Sequence, residues 1–149
     1  MDRKRSFVRG IVFLAVTAAM SCGCATSRVD LVKSGVLTME GRAEGKVQIA
    51  WSDAYEQAGG LRITGVLMRH DHVGMPIKAH VDATIISPDG QTLDTACSKA
   101  IYVPRRITGR GQSLKRFSIR FPCVPPHGSS VHLVCHSDPN DVTCVNSDS

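Results

Sequence analysis

The stretch KAHVDATIIS, residues 78–87, alternates without a break: Ala79, Val81, Ala83 and Ile85 are apolar, while Lys78, His80, Asp82 and Thr84 stand between them. Side chains of an extended chain point to opposite faces in turn, so this pattern predicts a half-buried strand with the four apolar residues inward. The pattern recurs. KVQIAW (46–51) places Val47, Ile49 and Trp51 on one face. LRITGVLMRH (61–70) sets Leu61, Ile63 and Leu67 against Arg62, Thr64, Met68 and His70. KRFSIRF (115–121) puts Phe117, Ile119 and Phe121 inward, and SSVHLVCHS (129–137) does the same with Val131, Leu133 and Cys135. QTLDTACSKAIYV (91–103) reads as extended too, and SPDGQ (87–91) as a turn, with Pro88 preset at a corner and Gly90 free to take positive φ. No comparable 3.6-residue stripe follows residue 24, so the expected class is all-β: one antiparallel β-sandwich of about seven strands.

The front of the chain is different. Arg3, Lys4, Arg5 and Arg9 precede ten uncharged residues, 11–20, and then Ser21-Cys22-Gly23-Cys24-Ala25. A basic start, a short apolar run and a small-residue exit are the parts of a secretory signal. Ten residues of helix rise about 15 Å, half a bilayer core, which is too short for a permanent span. The exit resembles the lipobox of bacterial lipoproteins, in which a cysteine is lipidated and becomes the new N-terminus. Neither cysteine has the usual Leu three residues upstream. Cys24 is the expected anchor and Cys22 the alternative, because loss of Cys22 with the signal leaves an even number of thiols. The resemblance implies outer-membrane sorting at the periplasmic face, since Ala25 and not Asp follows Cys24. The expected organisation is signal 1–23, lipidated Cys and tether 24–43, β-sandwich 44–137 and polar tail 138–149, with the later part of 25–43 readable also as an opening strand.

Charge narrows the partners. The whole chain carries +5, but from Cys24 onward 14 Lys and Arg face 12 Asp and Glu, a net of +2. Near balance and the scarcity of aromatic residues for base stacking argue against nucleic acid. What remains is local: between Asp94 and Asp138 there is no acidic residue, while Lys99, Arg105, Arg106, Arg110, Lys115, Arg116 and Arg120 fall there. This segment is the expected contact surface for an anionic envelope component or a protein partner, beside the membrane contact through the lipid anchor.

Residues 65–95, GVLMRHDHVGMPIKAHVDATIISPDGQTLDT, resemble the G-x-V…G-x-P-I…P-D-G pattern of transthyretin-like and carboxypeptidase-regulatory-like sandwich modules. The stretch PRRITGRGQSLKRFSIRFPCVPP resembles small exported bacterial proteins. The resemblance implies an immunoglobulin- or transthyretin-like sandwich without catalysis. The chain also has no G-x-S-x-G, H-E-x-x-H, C-x-x-C or P-loop pattern, so no enzyme activity and no cofactor is expected.

Two further constellations carry chemistry. If 91–103 and 114–121 form a hairpin, Cys97 comes within reach of Cys123, and Cys135 is left to pair with Cys144. In the second, Met68, His70 and His72, with His80 beyond, supply thioether and imidazole groups suited to copper. On a strand His70 and His72 would share a face about 6.6 Å apart. The expected role is therefore a non-catalytic structural or interaction module at the envelope, with periplasmic copper binding by these four residues as the alternative.

Overall fold

In the computed structural model, which describes residues 28–105 and 114–137, the alternating segments become strands whose apolar halves meet in one core. Eight strands follow in order: β1 (Leu37–Glu44), β2 (Val47–Gln57), β3 (Gly60–Arg69), β4 (Ile77–Ile86), β5 (Thr92–Cys97), β6 (Ile101–Val103), β7 (Lys115–Phe121) and β8 (Ser129–His136). They form two sheets. One runs β1-β8-β4-β5, with the short β6 also paired to β4; the other runs β2-β3-β7. The inward residues expected for β4, β7 and β8, and Leu61, Ile63 and Leu67 of β3, are all buried. Each large apolar side chain so removed from water stabilises the fold by roughly 1.5–3 kcal/mol relative to exposure. No helix among the described residues is long and apolar enough to cross a membrane.

Four expectations need correcting. The sheets are not wholly antiparallel: β1 runs parallel to β8, from Leu37 opposite Ser129 to Glu44 opposite His136. These are the first and last strands, so no tight hairpin forces them to run in opposite directions. The folded part also begins well before residue 44. Leu31 is buried in the core, its amide donates to the Ala54 carbonyl, and β1 takes up the last part of the expected tether, from Leu37 onward.

Trp51 does not face inward with Val47 and Ile49. A β-bulge between Ile49 and Trp51 adds one residue to β2, which reverses the parity of everything after it. Ala54 then points to the core, and Trp51 lies outside, 46% exposed.

The expected hairpin of 91–103 with 114–121 does not form either. β5 and β6 both pair with β4, whereas β7 pairs with β3 in the other sheet. Ser98 makes the break between β5 and β6: its amide donates to the Val81 carbonyl, and its hydroxyl accepts from the Val81 amide. The turn at 87–91 matches expectation, with Gly90 at φ 85° and a bond from its amide to the Ser87 carbonyl.

Candidate functional site

The outer face of the β1-β8-β4 layer collects histidines and carboxylates. Antiparallel pairing of β4 with β8 sets His80 directly opposite His136, and alternation puts Asp82 on the same face two residues along. The two imidazoles stack, with ring centroids 5.1 Å apart and planes 22° from parallel. Asp82 reaches both: Oδ1 lies 3.6 Å from His80 Nε2, and Oδ2 lies 3.3 Å from His136 Nε2. The parallel register of β1 then brings Glu44 Oε2 to 3.3 Å from His136 Nδ1. Ser137 fixes that corner, since its hydroxyl donates to the Glu44 carbonyl and accepts from the Lys46 amide. Although they point outward, the imidazoles of His80 and His136 are only 15% and 20% exposed. One ligand atom from each of His80, Asp82 and His136 lies within 4.8 Å of the others, so these three could hold a metal ion.

This is not the set expected from the sequence. Among the described residues, His80 converges with Asp82 and His136, and not with His70 and His72. β3 ends at Arg69, so His70 and His72 are in a loop and the strand geometry that would have aligned them is absent. Met68 lies on β3, in the other sheet from His80, and both alternate away from the shared core. The loop is organised by Arg69 instead. Its buried guanidinium donates to Asp71 through Nε and Nη2, both at 2.6 Å, to the Met75 carbonyl at 2.7 Å and to the Val73 carbonyl at 3.0 Å. The Arg69 hydrogen bond holds the Asp71 carboxyl below the usual carboxylate range. His70, His72, Val73 and Met75 are left on the exposed outside of this loop.

His80 and Asp82 were both legible as outward neighbours in KAHVDATIIS. What the sequence could not supply was His136, because the adjacency of β4 and β8 joins residues more than fifty apart.

The expected disulfides also differ. Cys123 is a free exposed thiol and Cys135 a free buried one. Cys97 is disulfide-bonded, and Cys123 is therefore not its partner. Cys97 lies opposite Asp82 at the β4–β5 ladder, whereas Cys123 follows β7 in the other sheet. Cys135 points into the core, and burial pushes its thiol up to about 12. Inward Cys135 and outward His132 and His136 cannot form a nucleophile–base pair. Cys22, Cys24 and Cys144 lie outside the described residues.

The opposite surface, the outer face of β2-β3-β7, is cationic and aromatic. Arg62 stands across from Arg120 in the β3–β7 register, and Arg116 across from Val66. A shallow groove is lined by Arg28, Trp51, Asp53, Tyr55, Arg62 and Arg116, among others. The Arg28 guanidinium sits over the Tyr55 ring, 5.1 Å from its centroid, a cation–π arrangement. Arg62 is steadied by hydrogen bonds to Ser118 Oγ at 3.0 Å and Gln57 Oε1 at 2.9 Å. Lys115 and Arg116 of the expected basic surface are exposed at the start of β7, and Arg105 is exposed just after β6. Arg106 and Arg110 lie outside the described residues. Arg28 and Arg62 were not singled out from sequence, being far from the basic segment in the chain.

Together these features define an all-β domain of two sheets with two chemically distinct outer faces. Comparison with protein-family models, with curated proteins and with solved structures finds no match.

Proposed function

We propose that this chain is an exported lipoprotein whose immunoglobulin- or transthyretin-like β-sandwich serves as a non-catalytic interaction module at the cell envelope. Acyl chains on Cys24 hold it at the periplasmic face of the outer membrane, where it meets a phosphate-bearing, anionic envelope component. The observation that carries this reading is the face of β2-β3-β7, where Arg62, Arg116 and Arg120 share a surface with Trp51 and Tyr55. Guanidinium forks match phosphate geometry, and aromatic rings beside them suit the boundary between headgroup and water.

The chain's own connectivity supports the same surface. Asp30, six positions along the chain from Cys24, bridges to Tyr55 on the edge of β2. At about 3.3–3.6 Å per residue, an anchor at Cys24 keeps that edge within about 20 Å of the bilayer. Arg28, which lines the cationic groove, is only four residues along the chain from Cys24, so an anchor there keeps the groove within reach of the bilayer.

The test is sedimentation of the purified full chain with vesicles of phosphatidylglycerol and of phosphatidylcholine. Binding is expected to the anionic vesicles, to fall steeply with salt, and to be lost in the Arg62→Ser/Arg116→Ser/Arg120→Ser variant. Binding that ignores salt or survives the triple change contradicts the reading. Mass spectrometry of membranes from a bacterial host checks the anchor separately: a chain acylated at Cys24 is expected, and an unacylated chain starting at Met1 contradicts it.

A further inference from the structure

We propose that His80, Asp82 and His136 bind a single divalent transition-metal ion of the Zn²⁺ or Cu²⁺ kind on the outer face of the β1-β8-β4 layer. Two imidazoles and one carboxylate are a borderline donor set that suits these ions. Zinc bonds to nitrogen and oxygen of about 2.0–2.1 Å at tetrahedral angles put neighbouring donor atoms about 3.3–3.4 Å apart. Asp82 Oδ1 stands 3.6 Å from His80 Nε2 and Oδ2 stands 3.3 Å from His136 Nε2, and one donor atom from each of the three residues lies within 4.8 Å of the others, so modest side-chain rotation brings the set to a ligand shell. Stacking of the rings aims both Nε2 atoms at the same carboxylate.

The scaffold fits the role. All three residues sit on β4 and β8, each flanked by strands on both sides, and such positions hold side chains more firmly than loops do. Glu44 completes the arrangement from β1. Its carboxylate lies 3.3 Å from His136 Nδ1, so with a metal on Nε2 the Nδ1–H would donate a hydrogen bond to Glu44 and hold the ring in place. Glu44 is thus a positioning residue and not a ligand. Thiolate does not enter the set: Cys135 points into the core from the other side of β8, and Cys97, next to Asp82 in register, is disulfide-bonded. Three protein ligands leave a coordination position for water or for a donor from elsewhere.

The experiment is calorimetric titration of the purified full chain with Zn²⁺ and, separately, Cu²⁺, after treatment with chelator. One ion per chain is expected for at least one of the two. His80→Ala, Asp82→Asn and His136→Ala should each abolish uptake, and Glu44→Gln should weaken it about 10–100-fold. His70→Ala/His72→Ala should leave it unchanged. Nitrogen-15 NMR of the unmutated chain gives a reading that needs no variant: Zn²⁺ should shift the imidazole signals of two of the six histidines. No uptake of either ion, shifts at other histidines, or loss of binding with His70 and His72 instead of His80 and His136 would each overturn the proposal.

Discussion

Gly65→Ala should be among the more damaging small changes this protein can suffer. Gly65 lies on β3 opposite Phe117 of β7, beside the bulge that turns Trp51 outward. A Cβ there would stand 2.5 Å and 2.6 Å from Cε1 and Cζ of Phe117, and 2.6 Å from the Trp51 carbonyl oxygen. Ordinary contacts begin near 3.4 Å, so the methyl overlaps its neighbours on two sides by nearly 1 Å. Phe117 is 3% exposed and packed in the core, so its ring has little room to retreat, and the other obstacle is backbone. Overpacking of this kind costs about 1–3 kcal/mol, and the double obstruction points to the upper end. The lower backbone entropy of alanine in a strand returns about 0.5–1 kcal/mol. A net loss of about 2 kcal/mol lowers the melting temperature of a domain this size by about 8–16 °C.

Thermal and urea unfolding measure that loss. Emission from Trp51, the single tryptophan, reports whether the bulge has moved. Adding Phe117→Leu should recover part of the Gly65→Ala loss, because the two residues share the clash. Stability of Gly65→Ala within about 0.5 kcal/mol of the parent, or no coupling to Phe117→Leu, refutes the reasoning.

Three further outcomes follow from the same geometry. Arg69→Met should release the 70–76 loop, read as faster proteolytic cutting there. Because Arg69 lowers the Asp71 pKa, the pair's stabilisation is present above the ordinary carboxylate range and is lost as pH falls through the lowered value; Asp71→Asn should flatten that acid limb. Cys123 should react with a thiol reagent in the native protein, and Cys135 only after unfolding. The raised Cys135 value means its contribution is full below the ordinary thiol pKa of about 9 and is lost as pH climbs toward about 12. Ser129→Ala should leave stability unchanged or raise it by about 1 kcal/mol, since the buried Ser129 hydroxyl has no hydrogen-bond partner among the described residues.

What could be read from sequence follows a physical line between local and distant order. Residues 78–87 and 115–121 state their own faces, because alternation is a property of neighbours, and the turn at Ser87–Pro88–Asp89–Gly90 is equally local. Trp51 was misassigned because one extra residue at the bulge reverses parity, and nothing in KVQIAW marks it. β1 (LTMEGRAE) shows no alternation; an edge strand with one partner needs little apolar patterning of its own, and β8 supplies its ladder. The site was half legible. His80 and Asp82 lie two apart on one face, but His136 and Glu44 arrive through register between strands far apart in the chain. The attraction of His70 and His72 rested on β3 continuing through them, and it ends at Arg69, whose guanidinium gathers the loop around itself.

The central claim is that the cationic, aromatic face of β2-β3-β7 is where this protein meets an anionic partner. Nitrogen-15 chemical-shift mapping of the full chain, titrated with short-chain phosphatidylglycerol below its micelle threshold, tests it most directly. The account predicts perturbations centred on Arg28, Trp51, Tyr55, Arg62 and Arg116, fading with added salt. Perturbations confined to β4 and β8, or none at any lipid concentration, would contradict it.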